Sequence, residues 1–287
     1  MAELKPYRGN YYLWQYIPST EAASVFAAFF ILGTLYLIWK VVRTRAYFCI
    51  VFIIGGIFEI IGYCARAGAK NRTDVLMPYV IQSTLILIAP ALFAASIYMV
   101  LGRVIRGVGA EYRSVIPVKW LTPIFVCGDI VSFVVQASGA GIMVTGDSMK
   151  TGENIILGGL IVQIVMFGLF IVIASIFHSR LRRWPTALFL ENRTKWESIM
   201  AMLYTVSVFV FVRSIFRVIE YAMGQDGYPL KHEWTLYVFD AALMFGVVAA
   251  FAFRFPSGLV VDAAKDEETV GQELTNRNWA SPTLVSS

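Results

Sequence analysis

In this chain of 287 residues 58% are hydrophobic and only 15% are charged, whereas soluble proteins carry about 25% charged residues. With a mean hydropathy of +0.67, it cannot clothe a core in water-compatible surface, so its solvent is lipid. The formal charge of +5 sits in short loops between apolar blocks. That pattern excludes the contiguous basic face a nucleic-acid surface needs.

Residues 1–19 are polar and aromatic, and read as an extracellular segment with no cleavable signal peptide. The first apolar block is too long for a signal h-region and reads as an uncleaved anchor. Crossing the hydrocarbon core takes about 20 apolar residues. Seven blocks qualify: Thr20–Trp39, Tyr47–Ala65, Met77–Leu101, Trp120–Val144, Ile155–Phe177, Ile199–Met223 and Leu236–Phe255. Short connections make neighbours antiparallel. Residues 257–287 are polar and acidic in the middle, and read as a disordered cytoplasmic tail. The expected fold is an all-α integral membrane protein, a bundle of seven transmembrane helices over residues 20–256.

An odd number of spans puts the termini on opposite sides, and the Lys and Arg count assigns them. The side of the amino terminus holds seven, the other side fifteen, and Arg213 and Arg217 lie within the sixth span. The amino terminus is therefore expected outside and the carboxy terminus in the cytoplasm. The plasma membrane is the expected location, with other secretory-pathway membranes as alternatives. Of two glycosylation sequons, Asn71-Arg72-Thr73 falls outside and Asn192-Arg193-Thr194 inside. Cys49, Cys64 and Cys127 lie inside apolar blocks and read as small core residues, with no disulfide framework.

Ionisable groups inside hydrocarbon are costly and usually face a bundle interior or a wet cavity. Here they form stripes at helical spacing: Glu59, Tyr63 and Arg66; Asp129, Ser132, Gln136 and Gly139; Arg213, Arg217 and Glu220. Gln82, Gln163 and Asp240 add to them. Counting rise along the helices places Arg213 roughly 21 Å from the inner end of its span, and Gln82, Gln163 and Asp240 within roughly 12 Å of the outer end. The set is expected to gather in the outer half, four acids (Glu59, Asp129, Glu220, Asp240) facing three bases (Arg66, Arg213, Arg217). Two readings stand: ion pairs that fix helix register, or the lining of an outward-opening cavity for an amphipathic ligand. Pro90 and Pro123 permit kinks. Gly55, Gly56, Ala94, Ala95, Gly139, Gly141, Gly158 and Gly159 allow close helix approach.

Several classes fall away. The last span has no lysine for a retinal Schiff base. His178 and His232, both at helix ends, are too few and too remote for a haem or for the zinc site of a seven-span hydrolase. No phosphate-binding loop occurs. Asp129 and Asp240 supply the pair an aspartyl intramembrane protease needs, but Val126-Cys127-Gly128 precedes the first where that class has Gly-x-Gly. A seven-span receptor shares the topology; the outer-loop cysteine pair and the Asn-Pro-x-x-Tyr near the end of the seventh span are missing, and receptor activity stays as the runner-up. No enzyme activity, cofactor or metal is expected.

The stripes belong to a longer series. It runs Tyr16-Ile17-Pro18-Ser19, Glu59-x-x-Gly62-Tyr63-x-x-Arg66, Gln82, Ala89-Pro90, Ala94-Ala95-x-x-Tyr98 and Asp129-x-x-Ser132-x-x-x-Gln136-x-x-Gly139-x-Gly141. Gly158-Gly159 with Gln163 follows, then Arg213-x-x-x-Arg217-x-x-Glu220-x-x-x-Gly224-x-x-Gly227 and Glu233-x-x-x-Tyr237-x-x-Asp240. Over roughly residues 11 to 258 the chain resembles the fungal lipid-translocating exporter family, the RTA-like proteins. It departs at Ala22-Ala23, where the family often has Asn. The resemblance implies a seven-span protein linked to release of sphingoid long-chain bases or to resistance to lipophilic toxins, with no catalytic residues to carry over. The expected partners are membrane lipids and an amphipathic lipid or small-molecule substrate. A protonated lipid amine would suit Glu59, Asp129 or Asp240. The alternative is a seven-span sensor or receptor of lipids or stress without transport activity.

Overall fold

The computed structural model describes residues 14, 16, 18–70, 75–145, 149–224 and 227–256. The sequon at Asn71, most of the amino-terminal segment and the tail from residue 257 lie outside the described residues. Among the described residues seven helices are long and apolar enough to cross a membrane: Thr20–Thr44, Tyr47–Gly68, Leu76–Gly107, Val118–Met143, Lys150–Arg183, Arg193–Ala222 and Glu233–Phe253. No strand occurs among the described residues. The protein is a multi-pass integral membrane protein.

Local chemistry sets the ends. The Ser19 hydroxyl accepts from the Ala22 N–H and caps the first span. Arg45, with φ of 55°, closes that span in the left-handed conformation. The helices outrun the apolar blocks, because a helix satisfies its own backbone and long basic side chains reach from its last turns to the headgroups. The third span carries Arg103 and Arg106 to Gly107, and the fifth includes Lys150 and Arg180–Arg183. A short helix, Ala187–Glu191, precedes the sixth span; its cap Thr186 donates to the Val108 carbonyl at 2.7 Å, tying that loop to the end of the third span.

Consecutive spans pack side by side and the seventh returns to the first, closing a ring. The third span also meets the sixth across the middle. It is the central post: 67% of its most apolar stretch is buried, against 28% in the first, fourth and fifth. Large apolar side chains such as Leu32, Val42, Val134 and Phe253 point outward, as lipid-facing positions should.

The small residues divide. A Cβ on Gly139 would sit 2.8 Å from the Gly152 carbonyl oxygen, so the fourth and fifth spans touch backbone to backbone there. Gly141 and Gly158 were expected to serve the same purpose, but nothing lies within 4 Å of a Cβ at either. Each is off the contact face, a phase that composition alone does not reveal.

Candidate functional site

On the face where the first span begins, Arg66 is enclosed, 1% exposed. Its Nη2 donates to Glu233 Oε1 at 2.7 Å and to the Tyr16 hydroxyl at 2.9 Å, and its Nε donates to the Tyr237 hydroxyl at 3.1 Å. The rings of Trp14, Tyr16 and Tyr237 surround the guanidinium at 5.3–5.5 Å, within cation–π range. Glu233 also accepts from the Ser19 N–H. Burial raises the Tyr16 phenol, opposed by Arg66, so Tyr16 stays a neutral acceptor. This knot ties the entry to the first span to the second and seventh. Sequence reasoning singled out Arg66 but gave Glu233, Tyr16 and Tyr237 no part in its pairing; the 4-and-3 spacing of Glu233, Tyr237 and Asp240 was the available signal.

Seven residues before Arg66, roughly 10 Å along the helix, lies Glu59. Here Arg213 of the sixth span pairs with Asp240 of the seventh, and its Nη2 donates to the Ile86 carbonyl at 3.0 Å. That carbonyl is available because of Pro90. Four residues on, proline has no N–H to give it. Asp240 itself lies in a π-helical turn, Tyr237–Ala242, which keeps Tyr237, Asp240 and Ala241 all buried. Such turns change the phase of a helix face and recur at functional sites. Glu59 is 0% exposed, its electrostatic neighbours are Asp240 and Arg213, and neither of its oxygens has a hydrogen-bond partner among the described residues. The Tyr63 hydroxyl, Gln82 Oε1 and Asp240 Oδ2 are likewise buried without one. Gln82 lies one helical turn before Ile86.

The remaining candidates stand in separate groups. Arg217 pairs with Glu220 at 2.7 Å. Gln136 donates to Ser132 Oγ at 2.9 Å and to Gln163 Oε1 at 3.1 Å, while Ser132 donates to the Gly159 carbonyl, joining the fourth and fifth spans. Asp129 accepts from the Tyr98 hydroxyl at 3.0 Å, and the rings of Phe125, Phe167 and Phe170 surround Tyr98. Tyr98 is nine residues from the end of the third span at Gly107, roughly 13 Å. The pair therefore lies deeper than the Glu59 group, toward the opposite face. Asp129 and Asp240 take part in separate hydrogen-bonded groups rather than forming a dyad.

The pairing differs from the four-acid, three-base grouping expected of the spans. All three arginines are taken, by Glu233, Asp240 and Glu220. Among the described residues two buried carboxyls, Glu59 and Asp129, are left with no hydrogen-bonded cation.

A family model described as RTA1 like protein matches residues 52–263. Protoporphyrin uptake protein 1 of Saccharomyces cerevisiae is 39% identical over 220 residues, 76% of this chain and 72% of that one. Protein RTM1 of the same species is 42% identical over 199 residues, 69% of this chain and 63% of its own length, so the match spans less than two thirds of that relative. Sphingoid long-chain base transporter RSB1, also from S. cerevisiae, is 27% identical over 249 residues, covering 75% and 65% of the two chains. No solved structure matches the chain.

Proposed function

The chain belongs to the RTA1 like protein family, and from that premise and the geometry above we propose that it moves amphipathic lipids or lipophilic compounds across the membrane toward the outer leaflet. Support comes first from Glu59, whose buried carboxyl has no hydrogen-bond partner among the described residues, and from Asp129, which accepts from the Tyr98 hydroxyl but pairs with no arginine. A buried acid without a partner is costly. A long-chain base brings a cation on its head group and an alkyl tail suited to the aromatic surroundings of Tyr98. Transport is named in two relatives, one for a sphingoid long-chain base and one for protoporphyrin uptake. No enzymatic step belongs to this reading.

In this conformation Glu59 is fully enclosed, so cargo reaches it only when the second, sixth and seventh spans part. The Arg213–Asp240 pair lies on that seam, and exchanging its partners is the natural companion of opening. The outer-half candidates Glu59, Tyr63, Gln82, Arg213 and Asp240 form the proposed binding group. Asp129 with Tyr98 is a second station nearer the other face. Arg66, Gln136, Gln163, Arg217 and Glu220 brace them.

The test is purified protein in phosphatidylcholine vesicles, followed for net movement of a fluorescent sphingoid base. Movement above protein-free vesicles, lost in Glu59→Gln, is the expected result. No movement by well-folded protein would leave the sensor reading as the better account.

A further inference from the structure

The group around Glu59 holds one acid more than its base can match. Arg213 faces two carboxyls there, Asp240, with which it pairs, and Glu59. The other two arginines nearby are committed, Arg66 to Glu233 and Arg217 to Glu220, each at 2.7 Å. The titratable and charged groups that face Glu59 are Tyr63 from its own span, Arg213 from the sixth and Asp240 from the seventh. Around that level the first span brings Phe30 and Thr34, and the third brings Ile86 and Phe93, through contacts with Gly55, Gly56, Gly62 and Tyr63. None of these four can carry a charge. The buried polar atoms continue from Glu59 in one direction. Toward Arg66 come the Tyr63 hydroxyl and Gln82 Oε1, both without a hydrogen-bond partner among the described residues. The other way, the second span reads from Ile50 to Phe58 without a polar side chain. There Phe52 packs between Phe93 and Phe251, with ring centroids at 4.5 and 4.0 Å.

Buried charge has to balance. Two carboxyls and one guanidinium are neutral only with one further positive charge, which either a proton on Glu59 or a ligand cation beside it supplies. The two exclude each other, because Glu59 has a single charge to offer. We propose that Glu59 exchanges a proton for the cationic head group of the cargo, so that binding a cation releases a proton and discharging the cation takes one up. This rests on the reading of Glu59 as a binding residue and gives the transport a driving force. In the step itself the neutral acid yields its O–H proton to water, and the carboxylate left behind pairs with the cation. When the cation departs, a proton returns to the same carboxylate. No other bond forms or breaks, and the group stays neutral throughout. Polar atoms lead from Glu59 toward the Arg66 face while aromatic rings close the opposite way. The proton is therefore exchanged with the Arg66 face in this conformation, and an acidic solution on that face drives cargo out to it.

The experiment uses the full chain in maltoside micelles and tetradecyltrimethylammonium, a fixed cation with an alkyl tail and no proton of its own. Binding is followed by titration calorimetry and proton release by an indicator dye in weak buffer, with protein-free micelles subtracted. The expected result is release of about one proton per cation bound, with affinity falling about tenfold per pH unit of acidification wherever the free protein holds that proton. Glu59→Gln, checked for a native melting temperature, should lose the release and about tenfold or more in affinity. If that variant melts early, the pH dependence of the native chain decides alone. Tetradecanol, with the same tail and no charge, should release nothing; equal release by it overturns the proposal. Cation binding without proton release, across the whole pH range in which the protein stays folded, overturns the exchange and leaves a cation site. Sphingoid-base movement in vesicles would then stand as transport without proton coupling. No cation binding also overturns the exchange, and if base movement is absent too, the binding reading of Glu59 falls with it. Release that survives Glu59→Gln and disappears in Asp129→Asn overturns the assignment to Glu59 and moves the exchange to the Tyr98 group.

Discussion

Glu59 and Arg213 sit in one buried group yet should answer opposite ways to substitution. Because neither Glu59 oxygen has a hydrogen-bond partner among the described residues, Glu59→Gln keeps the shape and removes an ionisable carboxyl that no hydrogen bond anchors. That variant is expected at near-normal membrane abundance with most sphingoid-base release lost. Normal release at normal abundance would take Glu59 out of the binding group. Arg213→Ala instead strands Asp240, and breaking a buried pair by removing one partner costs about 3–5 kcal/mol. Its signature is a fall in abundance and melting temperature, measured on the purified protein. If Arg213→Ala melts like the native chain, the pair contributes nothing to the fold. Helical spacing made Glu59, Arg213 and Asp240 legible as inward-facing residues. Their partners were not legible, since Arg66 is satisfied by Glu233 from a helix far away in sequence.

Pro90 was expected to serve only as a kink. It also leaves the Ile86 carbonyl free for Arg213. In Pro90→Ala the new N–H competes for that carbonyl in the ordinary helical bond. The third span should be no less stable, while the guanidinium loses an acceptor. The expected outcome is an unchanged or higher melting temperature with reduced transport; unchanged transport would show that the Ile86 carbonyl is dispensable. A second contrast belongs to the fourth and fifth spans. Gly139→Ala drives a methyl group against the Gly152 carbonyl, whereas Gly158→Ala meets nothing within 4 Å. The first should destabilise by about 1–3 kcal/mol and the second should be neutral or slightly stabilising, both read as thermal shifts in the same detergent. Equal shifts would show that the backbone contact is not tight.

Across the whole molecule the Lys and Arg asymmetry predicts that the carboxy-terminal face is cytoplasmic. Asn192 is exposed just before the sixth span and would be an accessible glycan acceptor if that face were outside. The native chain is expected to carry no glycan there, so endoglycosidase treatment should cause no mobility shift that Asn192→Gln abolishes. Such a shift would invert the orientation. The knot around Arg66 joins three distant segments, the entry at Ser19, the second span and Glu233. Glu233→Ala should therefore loosen the amino-terminal end of the first span, read as faster proteolysis near it.

The sequence by itself determined the solvent, the number of spans, their antiparallel order and which residues turn inward, because lipid demands self-satisfied helices and every inward charge must recur at helical spacing. It also carried the family, through motifs spread over six spans. Tertiary structure alone decided which charges pair, that Glu59 and Asp129 are left over, and that the polar set divides into groups at different depths. Those outcomes depend on helix rotation and height. A π-turn at Tyr237–Ala242 or a proline at position 90 shifts them by a fraction of a turn, which hydropathy, averaged over a whole span, cannot register.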